Sequence, residues 1–174
     1  MIILITGGAR SGKSEFAQKL AAGLGKSVLF CATAQPLDME MQARIEMHRK
    51  SRPAGWDTLE LPINIAAGLK RIRRKYDTVI IDCVTMLVAN RLNEEMSEET
   101  AHHEVLSEIE PLIKHMRTQK KHFILVTNEV GLGIVPDNKL ARLYRDLLGK
   151  VNQKLANCAH EVYLLTAGIP CKIK

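Results

Sequence analysis

The run Gly7-Gly8-Ala9-Arg10-Ser11-Gly12-Lys13-Ser14 follows four apolar residues, Ile2-Ile3-Leu4-Ile5, and leads into a segment of helical periodicity. It fits the pattern G-x-x-x-x-G-K-[ST] with a strand before it and a helix after it, which makes it a P-loop rather than an unliganded glycine turn. Each fixed residue type has a physical task. Glycines let the main chain curl until successive N–H groups face phosphate oxygens, Lys13 reaches the β- and γ-phosphates, and the Ser14 hydroxyl ligates Mg2+. Such an opening places a helix N-terminus, with its partial positive charge, at the carboxyl end of a buried strand.

The remainder alternates strand and helix signals. Phe16, Ala17, Leu20, Ala21 and Leu24 mark a helix over 15–24 that Gly25 stops. Residues 27–33 read as a strand, Asp38 as the N-cap of a helix running to Lys50, and 56–61 as a short strand. A helix is predicted over 63–74, and a buried strand over 78–82 with Asp82 at its end. Ser97 caps a further helix, which Pro111 should kink or interrupt. A strand over 123–127, a helix over 138–156, a strand over 161–166 and a short tail from Ile169 complete the chain. Repeated β-α units imply an α/β, P-loop NTPase-like fold: a mostly parallel sheet with helices on both faces and ligands at the carboxyl ends of the strands. With 174 residues, 46% of them hydrophobic, the chain can bury a substantial core, and one domain over 1–174 is expected because no repeat or linker divides it.

A net charge of +6 suits an anionic ligand, but aromatics at 4% offer no stacking surface, so nucleotide phosphates account for the charge and nucleic acid is not an expected partner. Cys31, Cys83, Cys158 and Cys171 form no C-x-x-C pair and sit mostly in apolar runs, which reads as reduced core residues in a cytoplasmic protein. No secretory signal is visible, and no apolar stretch approaches the ~20 residues needed to cross a bilayer, so membrane insertion is not expected.

Three further places carry chemistry. Asp82 stands where a P-loop protein places a carboxylate for Mg2+, although an aspartate capping the next segment would occupy the same position. In Arg44-Ile45-Glu46-Met47-His48-Arg49-Lys50-Ser51-Arg52-Pro53, one histidine lies among cations at a helix end. By composition a solvated basic helix end is the simpler reading; the chemical one is attack by His48 on a nucleotide α-phosphate, leaving a nucleotidyl-histidine and releasing pyrophosphate. Asn128 and Glu129, with Gly131 and Gly133, follow a strand end and form either a substrate loop or a structural turn. His102 and His103 read as solvated, and Arg142, Arg145 and Lys150 as a possible basic helix face.

The order and spacing of four segments carry a resemblance: ITGGARSGKS at 5–14, CATAQPLDMEMQARIEMHRKSRPAGW at 31–56, VTNEVGLGIVP at 126–136, and N-x-x-A-R-x-Y-R-D-x-x-G-x-V-N-Q from Asn138. Nearly the whole chain resembles the bifunctional adenosylcobinamide kinase and adenosylcobinamide-phosphate guanylyltransferase family of cobalamin biosynthesis. The resemblance implies two reactions: phosphorylation of adenosylcobinamide, then GMP transfer from GTP to its phosphate, giving adenosylcobinamide-GDP through a guanylyl-histidine. It makes His48 the nucleophile. Some relatives carry a second histidine where this chain has Met47, so His48 is the only local candidate. It also implies nucleotide contacts at Gly7, Gly8, Ala9, Arg10, Ser11, Gly12, Lys13 and Ser14, at Thr33 and Ala34, at Arg49, Lys50, Ser51 and Arg52, and at Glu60 and Asp82. Ser14 and Asp82 are the metal positions; some relatives have Glu in place of Asp82, so direct or water-mediated contact stays open. GTP, ATP and Mg2+ are the implied cofactors, and a homotrimer the implied assembly. Two other readings stand beside it: a P-loop kinase of another small hydroxyl compound, with His48 a phosphate contact, and a noncatalytic nucleotide-dependent regulatory module.

Overall fold

In the computed structural model, which describes Met1–Lys174, alternating buried strands and amphipathic helices take up the chain almost as their patterns dictate. The elements are β1 (Ile2–Gly7), α1 (Lys13–Leu24), β2 (Val28–Ala32), α2 (Met39–Lys50), β3 (Asp57–Glu60), α3 (Ile65–Lys70), β4 (Thr78–Asp82), α4 (Val84–Ala89), α5 (Glu98–Thr118), β5 (His122–Val126), α6 (Lys139–Cys158), β6 (Glu161–Thr166) and β7 (Ile169–Lys172). The seven strands form one sheet in the order β3-β2-β4-β5-β1-β6-β7. All neighbours are parallel except β6 and β7, so the expected α/β architecture is present.

Successive side chains of a strand face opposite sides of the sheet, so β1 feeds two cores. Ile2 and Leu4 join the larger one beneath α3, α4, α5 and α6, while Ile3 and Ile5 join the smaller one beneath α1, with Ala17 and Ala21. Burial on both faces explains why these strands read as continuous apolar runs rather than alternating ones.

Four expectations need correction. The helix predicted over 63–74 is only Ile65–Lys70. Asn64 enters it in the left-handed conformation, and beyond it Lys70, Arg71, Arg73, Arg74 and Lys75 would stack like charges at helical spacing, whereas Arg74 instead reaches Asp57 at 2.7 Å. Pro111 does not interrupt α5, which is continuous. Its ring is exposed to solvent, while Val105, Ile109, Leu112 and Met116 hold the opposite face in the core, so the one lost main-chain bond is offset by packing. The tail forms β7, an exposed antiparallel edge. All four cysteines are free, but only Cys31 is fully buried and Cys171 is exposed. Burial pushes the Cys31 thiol up to about 12 and that of Cys83 up to about 11.

A buried carboxylate joins three of these helices. Glu108 of α5 accepts from the main-chain amides of Asn64 at 2.7 Å and Ile65 at 2.9 Å, the otherwise unpaired donors at the start of α3. Arg91, just after α4, closes the network with a 2.5 Å bond to Glu108 and a 2.8 Å bond to Asn64. The side chains of Arg91 and Glu108 are only 17% and 2% exposed, so removing the carboxylate strands two amides and leaves a largely desolvated guanidinium with only the more distant Glu104, at 3.5 Å, as counter-ion. Glu108→Ala is therefore expected to lower the unfolding free energy by about 3–5 kcal/mol. Urea denaturation measures this, and a loss below about 1 kcal/mol, the size of a solvent-screened surface pair, would contradict it.

Candidate active site

The turn after β1 has the conformation that its glycines permit. Gly12 lies at φ 87, and Gly7, at φ 150, has no room for a side chain: a Cβ there would run into the Leu165 carbonyl and sit 2.9 Å from Ser11 Oγ. Arg10, at φ 56, is the one non-glycine residue of the turn in the left-handed region. Lys13 folds back along the loop, donating to the Gly8 carbonyl and lying 3.4 Å from Ser11 Oγ. Burial lowers the Lys13 pKa, and the neighbouring Cys83 and Asp82 oppose that shift. The loop thus holds an ammonium ready for phosphate oxygens.

Asp82 ends β4 beside Ala32 of β2 and Val126 of β5. Burial raises its carboxyl pKa; a hydrogen bond from the Ser14 hydroxyl and the positive charges of His48, Arg52 and Lys13 act against this. Asp82 is not the cap of the following helix, since the N-cap position of α4 belongs to Cys83, which makes no side-chain cap bond. Ser14 and Asp82 together offer the hard oxygen donors that Mg2+ takes.

α2 begins as predicted, with Asp38 accepting from the Met41 amide at 2.7 Å. None of its residues is buried, so polar contacts at its carboxyl end hold it to the sheet. Arg49 pairs with Glu60 at the end of β3, and Arg52 lies over the Phe30 ring at 4.1 Å and reaches Thr58 Oγ1 at 3.3 Å. The Arg52 Nε is buried without a partner, and burial lowers the Arg52 pKa against the pull of Asp82. His48 is exposed on the last turn of α2. Lys50 and Ser51 are exposed alongside, the Ser51 hydroxyl donating to the His48 carbonyl at 2.9 Å. The structure therefore brings Lys13, Ser14, His48, Arg52 and Asp82 together, while Arg49 and Glu60 neutralise each other at the margin.

Thr33 is fully buried, and its hydroxyl is committed: it donates to the Cys83 carbonyl at 2.7 Å and accepts from the Cys83 amide at 2.8 Å. Its geometry is that of a clamp between the ends of β2 and β4. Ala34 lies just beyond, half-exposed. Asn90, for which the sequence offered no signal, extends the clamp by donating to the carbonyls of Thr33 and Pro62, both at 2.8 Å. Asn152, part of the pattern starting at Asn138 but without an expected role, accepts from Thr127 Oγ1 at 2.8 Å and donates to the Asn128 carbonyl at 3.1 Å. The Glu129 carboxylate turns onto the Gly131 amide at 2.7 Å, and its own amide donates to the Gly7 carbonyl at 3.0 Å, so this segment braces the P-loop as a structural turn. Arg145, only 21% exposed, pairs with Asp146, and this shortens the expected basic face of α6.

The family model for cobinamide kinase / cobinamide phosphate guanyltransferase matches residues 3–173. The chain belongs to that family. It is 43% identical, over an alignment of 182 positions that covers 100% of both chains, to the bifunctional adenosylcobalamin biosynthesis protein CobU of Escherichia coli K12. It is 40% identical over 171 residues to the corresponding CobP of Pseudomonas aeruginosa, covering 98% of this chain and 96% of that one. Among solved structures, the RadB recombinase aligns with a TM-score of 0.51 at 13% identity, over 94% of this chain and 73% of that one, a likeness of fold alone. No helix is long and apolar enough to cross a membrane.

Asp82→Asn keeps the shape of the strand end and removes the charge. It is expected to raise the Mg2+ concentration for half-maximal turnover by about 10- to 100-fold. An unchanged Mg2+ titration in the folded variant would remove Asp82 from the metal site.

Proposed function

We propose that this chain phosphorylates adenosylcobinamide and then transfers GMP from GTP to adenosylcobinamide-phosphate, through a guanylyl group on His48. The observation that carries the reading is the convergence on Asp82: the Ser14 hydroxyl from the P-loop, the Lys13 ammonium, and His48 and Arg52 from α2 and the turn after it. This supports the reading, because the P-loop, the Asp82 carboxylate and the proposed nucleophile come from three distant parts of the chain.

In the kinase step, the main-chain amides of Gly7 to Ser14 and the Lys13 ammonium hold the triphosphate of ATP or GTP, and the cobinamide hydroxyl attacks the γ-phosphorus: an oxygen–phosphorus bond forms, the bond to the β–γ bridging oxygen breaks, the nucleoside diphosphate leaves and the hydroxyl proton passes to solvent. Mg2+, held by Ser14 and Asp82, supplies charge neutralisation on the phosphates when bound. In the transferase step, an imidazole nitrogen of His48 attacks the α-phosphorus of GTP; a phosphorus–nitrogen bond forms, the bond to the bridging oxygen breaks, and pyrophosphate leaves. An oxygen of adenosylcobinamide-phosphate then displaces the imidazole and receives GMP as a diphosphate linkage.

Arg52 suits the charged phosphates because Phe30 and Thr58 already hold its guanidinium, so little side-chain freedom is lost on binding. Arg49, Lys50, Ser51 and Glu60 form the outer contacts, and Thr33 with Ala34 shapes the floor. The family resemblance supports a single catalytic domain over 1–174, acting in the cytoplasm as a homotrimer. Leu132, Ile134 and Val135, exposed on the loop after β5, provide apolar surface for association.

Incubation with GTP labelled in the α-phosphate, followed by peptide mass spectrometry, should place the label on His48. His48→Ala should abolish that adduct and guanylyl transfer while retaining adenosylcobinamide phosphorylation, because γ-phosphoryl transfer needs no protein nucleophile. Persistence of an acid-labile GMP adduct in the folded variant would move the nucleophile elsewhere. Loss of both reactions with intact folding would make His48 a shared binding residue. Lys13→Ala should sharply reduce kinase turnover, and wild-type rates would refute its phosphate role.

A further inference from the structure

At the amino-terminal edge of the sheet, on the side opposite the P-loop, α3 and α5 leave a groove of about 870 Å3 whose walls include Lys70, Lys114, Lys121 and His115. None of the three lysines takes part in an ion pair. The one carboxylate on the lining, Glu110, is bonded to Lys154 at 3.3 Å and is thus partly compensated from outside the groove. His115 is only 9% exposed, with its ring edge-on to Phe123 at a centroid distance of 6.1 Å. Its imidazole makes no hydrogen bond within the protein; the side-chain bond at this residue is the one its main-chain carbonyl accepts from Thr118 at 2.8 Å. A largely buried imidazole whose ring nitrogens have no protein partner and open to solvent, set in a groove with three lysines free of ion pairs, suits an anionic ligand.

We propose that this groove is a second anion site, which binds a diphosphate group carried by inorganic pyrophosphate or by a nucleoside diphosphate. Three ammonium groups match a diphosphate better than a single phosphate ester, which carries about −1.5 to −2. The P-loop is not part of it: Lys121 precedes the first residue of β5 and Lys70 ends α3, whereas the P-loop follows the last residue of β1. The second layer behind the imidazole is electrostatically occupied, since Arg74 pairs with Asp57 at 2.7 Å and the Tyr76 hydroxyl donates to the same carboxylate at 2.7 Å.

The imidazole reports on occupancy. Burial, followed by the charges of Lys121 and Lys70, lowers the His115 pKa and so favours the neutral ring. Lys114 adds a further cation and Glu110, tied to Lys154, an attenuated anion, so the balance facing the ring is positive. A bound diphosphate reverses that balance. It raises the His115 pKa, binding takes up a proton, and affinity increases as the pH falls from 7 toward the histidine range.

The test is a titration of the full-length protein followed by imidazole NMR, with the His115 resonances assigned through His115→Gln. Pyrophosphate and GDP are added separately, first to the wild type and then to Lys13→Ala, in which the P-loop has lost its phosphate lysine. A saturable shift of the His115 resonances with a raised pKa, unchanged in Lys13→Ala, is the expected result. A response to both ligands identifies the shared diphosphate as the determinant, a response to pyrophosphate alone identifies the free anion, and a response to GDP alone the nucleotide. The double variant Lys70→Gln, Lys121→Gln should weaken binding by at least about ten-fold, the equivalent of about 1.4 kcal/mol, while leaving basal kinase activity unchanged. Immobile His115 resonances in the folded wild type, or undiminished affinity in the lysine double variant, would overturn the proposal.

Discussion

The clamp at the carboxyl ends of β2, β4 and β5 is the constraint on which the rest of the site depends. β1 and β4 are not neighbours, because β5 lies between them, so the P-loop and Asp82 face each other only if three strand ends stay in register. Thr33 ties the end of β2 to Cys83 with both a donated and an accepted bond, and Asn90 ties Thr33 to Pro62 beyond β3. On the other side, Asn152 of α6 holds Thr127 and Asn128, and Thr85 Oγ1 accepts from the Asn128 amide at 2.7 Å. Parallel strands end in main-chain groups that the ladder no longer satisfies, and buried side-chain amides and hydroxyls take over there.

Rigid and loosely held parts are divided by chemistry. The P-loop and Asp82 stand on strands buried in both cores, where small displacements would disturb close packing. His48 stands on α2, which buries no side chain and is held through Arg49–Glu60 and the Arg52–Phe30 stack. Phosphate binding and metal coordination demand fixed geometry, whereas the nucleophile role proposed for His48 would be served by a less constrained support.

Electrostatics links the two parts. The Asp82 carboxylate is pushed toward protonation by burial and held against it by the Ser14 hydroxyl and by charge from His48, Arg52 and Lys13. In the proposed reaction, a bound nucleotide and Asp82 would share these cations. Burial of Lys13 makes its interaction with Asp82 stronger than it would be in water.

Local chemistry made much of this legible in the sequence. The P-loop, the strand ending in Asp82, the Asp38 cap of α2 and the Asn138 start of α6 follow from spacing and residue type, because each is decided within a few residues. The early end of α3, the continuity of α5 through Pro111 and the pairing of the tail as β7 were decided by partners distant in sequence: Asp57, the core beneath α5, and β6. The same holds for the site. Sequence and family resemblance named Lys13, Ser14, His48, Arg52 and Asp82 as candidates. Only the tertiary structure separated Arg52, which faces Asp82, from Arg49, which Glu60 neutralises, and gave Thr33, Asn90 and Asn152 their tasks as clamps. A motif specifies which groups can meet a phosphate; which of them remain free to do so depends on long-range hydrogen bonds and ion pairs that exist only once the strands are side by side.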